Sequence, residues 1–318
     1  MAFDNNKNQG KNGQGSAPAG KASLDFAEST KPPGMLKLFW KELKYDKLAL
    51  LASFLLVCIL AGIYIGTPII ESRMDVMRPD LRMQNLSPED SGTLFGTDST
   101  GRFVAPLLVV SARNSLNISL AVTALSFIIG LVAGLVAGYY GGHVDNIIMR
   151  ITDTVTMLPT LMIFIAIRAI VGQTTISMFI ITLTAFTWMG RTRLIRSVAL
   201  QNRNQDYINA SKTLGSRNIV IMLREMLPNM VDVVAANFVL TAAANIGIET
   251  GLTLLGWGLG MEHPSLGTMI ANALAPVNLQ FRWWNWAPAI VMVIVITLCI
   301  NFVGNALQRA ADPKQRLV

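Results

Sequence analysis

The sequence predicts an all-α integral membrane protein with six transmembrane helices and both termini in the cytoplasm. Three observations lead there. Apolar residues make up 52% of the chain and charged residues only 14%, where soluble domains carry about 25% charged residues. Six apolar runs reach the roughly 20 residues that a helix needs to cross about 30 Å of hydrocarbon. Nineteen of the 26 Lys and Arg residues fall on one side of those runs, and basic residues near span ends are retained in the cytoplasm.

The elements follow in chain order. Residues 1–33 are expected to form a disordered cytoplasmic tail, because as far as residue 24 Gly, Asn, Lys and Ser dominate and large apolar residues are scarce. Within it Gly15, Gly20 and Lys21 approach a phosphate-binding loop. Ala22 stands where a Ser or Thr hydroxyl would hold magnesium, and no apolar strand leads into the loop, so no nucleotide cofactor is expected in this chain. Residues 34–47 predict an amphipathic interfacial helix, with Leu36, Phe39, Trp40 and Leu43 on one face and Lys37, Lys41 and Lys44 on another. That arrangement suits the lipid headgroup boundary. The first span, 48–70, begins too far into the chain to read as a cleaved signal peptide. Residues 71–114 form an external lobe too short for a core of its own. Residues 115–318 hold five further spans, at 115–138, 147–170, 175–194, 230–256 and 287–308, interrupted by a polar, basic cytoplasmic segment at about 195–229.

The net charge of +7 reads as topology and contact with anionic membrane lipid, not as nucleic-acid binding. Cys58 and Cys299 lie inside predicted spans and read as small hydrophobes. His143 and His263 fall on opposite sides, so they form neither a metal site nor a catalytic pair. No catalytic constellation emerges, and the chain reads as something other than an enzyme.

Four strings carry more specific information. In Leu94–Arg102, the residues Gly96, Thr97, Asp98, Gly101 and Arg102 suit a tight external turn. In residues 205–229, Asp206 to Leu214 lacks Gly and Pro and predicts a helix that Gly215 ends in a left-handed conformation. Ser216 to Leu227 predicts a second helix, and Pro228 a turn into the fifth span. Ala210 and Ser211 are small enough for a partner to approach closely, while Lys212, Arg217 and Arg224 offer charge; an ordinary solvated connection has the same pattern. In the fifth span Asn237, Asn245 and Glu249 are costly in hydrocarbon and are expected to face a bundle interior or a water path. The string Leu254 to Gly260 follows. Beyond it, Pro264–Gly267 and an aromatic group, Phe281, Trp283, Trp284 and Trp286, fall on the external side, where Trp anchors helix ends. Arg309, Asp312 and Pro313 mark the ending.

Taken in order over roughly residues 34–318, these strings resemble the permeases of dipeptide and oligopeptide ABC importers, in particular the second, C-type permease subunit. The resemblance implies a type I ABC-importer architecture in a bacterial cell (plasma) membrane. It implies as partners a second homologous permease, two ATPase subunits that bind ATP and Mg, and an extracytoplasmic peptide-binding protein. It makes residues 205–229 an ATPase-coupling loop, with Asp206, Tyr207, Asn209, Ala210, Ser211, Lys212, Gly215, Arg217, Leu227 and Pro228 as its site residues. Asn245 and Glu249 become possible pathway residues, with a hydrogen bond to a neighbouring helix as the other reading of Glu249. The chain departs from the pattern at Phe103, where an acidic residue is usual, at Asn209, where many members carry Glu, and at Trp257, where many carry Leu. Nickel and glutathione importers share these strings. A non-transporting membrane assembly subunit is the reading from another class, and a secondary transporter would show internal repeats and broken helices; no repeat is evident.

Overall fold

A computed structural model of the chain describes residues 35–172, 175–260 and 262–311. The predicted disordered tail and the chain ending after Ala311 lie outside the described residues. Those residues are helical, with a single isolated antiparallel bridge between Thr97 and Phe103.

Helix α1 (Met35–Tyr45) is the predicted amphipathic helix. Phe39 and Leu43 pack against Ala49 and Ala306, so its apolar face meets the end of the last helix. Asp46 caps the first span, α2 (Lys47–Arg73), by accepting from the amides of Leu48 and Ala49. Its carboxylate also accepts from Arg309, which reaches Glu42 as well. The segment between α2 and the next long helix, predicted to be an external lobe, holds one short 3-10 turn (Leu81–Met83) and α3 (Pro88–Ser91), capped by Ser87.

Helix α4 (Val104–Tyr140) has 37 residues, about 55 Å at a rise of about 1.5 Å per residue, and begins well before the predicted start of the second span. The predicted third span is broken. It appears as α5 (Gly142–Thr156) and α6 (Thr160–Val171), bent by 69°. Pro159 lies at the break: its ring removes an amide donor and pushes Leu158 away from helical geometry. Helix α7 (Ile176–Arg203) carries the predicted fourth span, 175–194, in its first part, with Arg191 and Arg193 near that span's end and Arg196 and Arg203 beyond it. A short helix, α8 (Asp206–Thr213), precedes α9 (Asn218–Leu254), in which residues 221–226 are wound as a π turn. After α10 (Leu266–Asn272) and α11 (Pro276–Phe281), α12 (Ala287–Ala311) ends the described chain.

By length and composition four described helices are suited to cross a membrane, namely α2, α4, α9 and α12, or five with the bent α5–α6 pair counted as one. Helix α7 is long enough, at 28 residues, but its arginines keep it out of that set.

The tightest helix contact is between α4 and α7. A Cβ added at Gly130, Gly134 or Gly138 would stand 2.6 Å from Arg191 Cβ, 2.8 Å from Ile195 Cβ and 2.4 Å from Ala199 Cβ respectively. Glycines four apart lie on one helix face and let two backbones meet closely. In that contact Arg191 lies over the Phe127 ring of α4, while toward α5 Arg193 meets Asp153 and Arg196 grips Asp145 through two nitrogens. Three apolar clusters complete the packing. One joins α2, α4, α9, α10 and α12 around Leu107, Ile246 and Ile296. A second joins α4, α7, α8 and α9 around Ile195, Ile208 and Met226. The third gathers α4, α6, α7, the end of α9 and the loop after it around Phe164, Phe179 and Trp257.

Candidate coupling and pathway sites

The segment between α7 and α9 folds as the sequence predicts on its first half. Ser216 donates its amide to the Ser211 carbonyl and Gly215 to that of Lys212, the pair of bonds that closes a helix on a left-handed residue. Gly215 has φ +82°, and a Cβ there would meet nothing within 4 Å. The conformation therefore asks for Gly, while the space beside it is open.

One side of α8 is fixed to the molecule. Ile208 is fully buried, and Ser211 Oγ donates to Glu225 Oε1 at 2.5 Å. Lys212 Nζ lies 5.3 Å from the centre of the Tyr139 ring, and the Tyr139 hydroxyl donates to Asn218 Oδ1 at 2.8 Å. Tyr207 donates to Asn202 Oδ1 at 3.1 Å. The other side is open: Asp206, Asn209, Ala210, Gly215 and Arg217 are exposed, and Leu214 is 85% exposed. The prediction that Ala210 and Ser211 together admit a partner is thus corrected. Ala210 faces out, whereas Ser211 is buried and engaged by Glu225.

Pro228 brings a second correction. It does not turn the chain, because the helix runs on from Asn218 to Leu254. The π turn just before it widens the coil where the proline ring would meet the carbonyl one turn back, and the Leu227 amide donates to the Met222 carbonyl. Glu225 and Tyr139 were not singled out from sequence. An acid next to Arg224 in a basic segment was the available signal for Glu225; nothing local marks Tyr139, which comes from the far end of α4.

The turn at Gly96–Arg102 is organised by Asp98. Its Oδ1 accepts from the amides of Thr100 and Arg102 at 2.8 and 2.9 Å, and its Oδ2 accepts from Arg102 Nε at 2.9 Å. Thr97 is fully buried and its Oγ1 donates to the Met83 carbonyl while accepting from the Leu86 amide. Gly96 (φ +65°) and Gly101 (φ +82°) have no room for a side chain, since a Cβ would come within 2.4 Å of the Leu86 oxygen and 1.8 Å of the Asp80 oxygen. The turn therefore knits the lobe to the start of α4, and Phe103 at the usual acidic position pairs by its backbone with Thr97.

Asn245 and Glu249 lie on a polar seam between α4 and α9. Asn245 donates to Thr123 Oγ1 at 2.8 Å. Glu249 is fully buried. Its carboxylate accepts from Ser115 Oγ at 3.0 Å, Ser265 Oγ at 2.7 Å and Thr253 Oγ1 at 3.3 Å. Ser115 in turn accepts from the Leu266 amide and Ser265 from that of Thr268. Glu249 therefore makes the hydrogen bond to a neighbouring helix that is the other reading of it. Asn237 bonds within its own helix, to the Val233 carbonyl. Trp257 is buried between Phe164 and Phe179, with ring centres 4.5 and 4.7 Å away, while Trp283 remains 52% exposed.

These features make a helical bundle with one loop, residues 205–217, pinned from behind and open in front. Residues 130–317 match the family described as the inner membrane component of binding-protein-dependent transport systems, and the chain belongs to that family. It is 42% identical over 275 residues to the oligopeptide transport system permease protein OppC of Lactococcus lactis subsp. lactis (strain IL1403), covering 86% of this chain and 93% of the relative. It is 35% identical to the dipeptide transport system permease protein DppC of Bacillus subtilis (strain 168), over 91% of this chain and 90% of that protein. The di/tripeptide permease DppC of Pseudomonas aeruginosa (strain UCBPP-PA14) is 30% identical over 95% of this chain and 98% of the relative.

Proposed function

We propose that this chain is one of two permease subunits of an ATP-driven peptide importer, with six spans and both termini cytoplasmic. Its partners are a second, homologous permease, two ATPases that bind ATP and Mg, and an extracytoplasmic peptide-binding protein. The permease itself is not an enzyme and needs no cofactor. It couples to an ATPase through residues 205–229. The observation that carries this reading is the two-sided build of α8 and its Gly215 turn. A solvated connection has no need to bury Ile208 and engage Ser211 and Lys212 on one side while leaving Leu214 bare on the other. A surface fixed to the span bundle and apolar at its tip is suited to receive force from a partner.

Binding energy from ATP would be delivered to α8 and passed to α9 through Ser211–Glu225 and the Ile208 cluster. Alternating access follows if the two permeases rock about that contact. The test is reconstitution with a second permease, the ATPases and a binding protein, reading ATP-dependent uptake of a labelled tri- or tetrapeptide into proteoliposomes. Uptake that requires every one of these components supports the assignment. Uptake of nickel or glutathione in place of peptides would reassign the substrate and leave the architecture.

A further inference from the structure

A cavity of about 660 Å3 opens at the end of the first span, between the last turn of α2 and the start of α4. That is within the size range of small-molecule sites, about 300–1,000 Å3. Its charged lining consists of Arg73, Arg78 and Arg82 with Asp75 and Asp80, and all five side chains are exposed. None of the three guanidiniums is in an ion pair or a hydrogen bond among the described residues, while the neighbouring acids Glu71 and Asp98 are taken by Arg113 and Arg102. Asp75 and Asp80 each accept from a backbone amide through Oδ1, those of Met77 and Arg82, at 3.0 Å in both cases. Their Oδ2 atoms have no partner among the described residues.

A solvated arginine needs no partner, and exposure alone would leave these three as surface charge. Their position decides otherwise. The span predicted at 48–70 ends three residues before Arg73, a rise of about 4.5 Å, and the headgroup layer on each side of the hydrocarbon is about 5–8 Å thick. The Arg73 backbone therefore lies in that layer. Toward the hydrocarbon, Phe54, Ile65 and Ile69 are 69%, 62% and 48% exposed. Ile65, Ile69 and Arg73 follow at a spacing of four, on one face of α2. That face is apolar as far as Ile69 and turns basic at Arg73.

This order of groups matches one kind of molecule. Acyl chains fit the bare face of α2, a phosphate fits the planar guanidinium fork, and a primary ammonium fits the free oxygens of Asp75 and Asp80. An acidic protein surface would use the arginines but give the aspartates and the apolar face nothing to do. We propose that this cavity binds a phospholipid whose headgroup carries a primary amine, as phosphatidylethanolamine does, with the arginines on its phosphate and the aspartates on its ammonium. Occupied, it ties residues 78–83 to the membrane surface beside the start of α4. The site needs only that α2 crosses the membrane, so it stands whatever the transporter carries.

The experiment is native mass spectrometry of the full-length chain, purified with the subunits that accompany it and titrated with phosphatidylethanolamine or phosphatidylcholine of identical chains. Both lipids carry the same phosphate and a positive amine, but only the first has N–H donors. The wild type is expected to retain phosphatidylethanolamine about tenfold more tightly, the contribution of one charge-assisted hydrogen bond. Asp75→Asn combined with Asp80→Asn keeps the oxygen that accepts from each amide, and is expected to bring the two lipids close to equal. Combining Arg73→Gln, Arg78→Gln and Arg82→Gln is expected to weaken both lipids about a hundredfold, since each basic residue at a lipid surface contributes about fivefold. Should that triple variant not purify, Arg78→Gln alone is expected to lose about fivefold. Arg150→Gln, at an exposed arginine of α5, serves as the control and is expected to leave retention unchanged. Equal retention of the two lipids by the wild type overturns the proposal, as does undiminished binding in the triple variant or in Arg78→Gln. A triple variant that keeps its lipid and loses an accompanying subunit also overturns it, and assigns the arginines to a protein partner.

Discussion

At the scale of single residues, the two sites differ in what their polar groups are for. Glu249 gathers three hydroxyls from three places in the chain, so removing its oxygens strands donors in a dry seam. Glu249→Ala is expected to destabilise the purified protein by about 1–3 kcal/mol, the cost of unsatisfied buried groups. Glu249→Gln should cost less, since one oxygen remains and Ser115 and Ser265 each have a lone pair for an amide donor. Thermal unfolding in detergent ranks the two, and equal melting of all three proteins would refute the clamp. Gly215 behaves oppositely. A β-branched residue at φ +82° is strained by roughly 1–2 kcal/mol, but no neighbour resists the side chain. Gly215→Val should therefore insert normally and lose ATP-driven uptake while basal hydrolysis persists; undiminished uptake would count against docking at this turn. Gly215 was legible in the sequence because its role is local. The inward orientation of Ser211 was not, since the acid it meets lies 14 residues on across the π turn.

At the scale of elements, legibility followed the range of the cause. Span positions came from composition, which is a property of each segment alone. The breaks came from prolines whose effect depends on what surrounds them. Pro159 bends a span by 69°, whereas Pro228 is absorbed by a π turn; the sequence alone predicts residues 147–170 as one unbroken span and Pro228 as the turn. The Gly130, Gly134, Gly138 stripe was in plain view at a spacing of four, yet its meaning needed α7 opposite. The stripe makes a sharp prediction. Gly134→Leu should push α4 from α7 and cost roughly 1–3 kcal/mol or more, as overpacking does. Gly247, where an added Cβ meets nothing within 4 Å, provides the control. Gly247→Leu is expected to leave the yield of monodisperse protein near wild type while Gly134→Leu lowers it.

At the scale of the whole molecule, the open question is whether α7 crosses, and the charge pattern and the coupling loop answer together. Helices α5 and α6 form a bent pair that either crosses or re-enters, and α7 carries four arginines on its second half. If both cross, the coupling segment is cytoplasmic and the tip of α6 is external. If the pair crosses and α7 does not, the coupling segment lies outside with the lobe. If neither crosses, the coupling segment is again cytoplasmic but the α6 tip joins it there. Three exposed positions separate these cases: Leu94 (75% exposed) in the lobe, Ile170 (85%) at the α6 tip and Leu214 (85%) in the coupling turn. In a background with Cys58 and Cys299 replaced by Ser, a single Cys at each position is tested with a membrane-impermeant maleimide on intact cells. Six spans require labelling at 94 and 170 from outside, and at 214 only after permeabilisation. The arginines do not argue against this outcome. Arg193 and Arg196 meet acids of α5, Arg191 lies over Phe127, and all belong to the second half of α7. A helix of 28 residues is about 42 Å long, enough to cross about 30 Å of hydrocarbon and still carry its charged end into the cytoplasm.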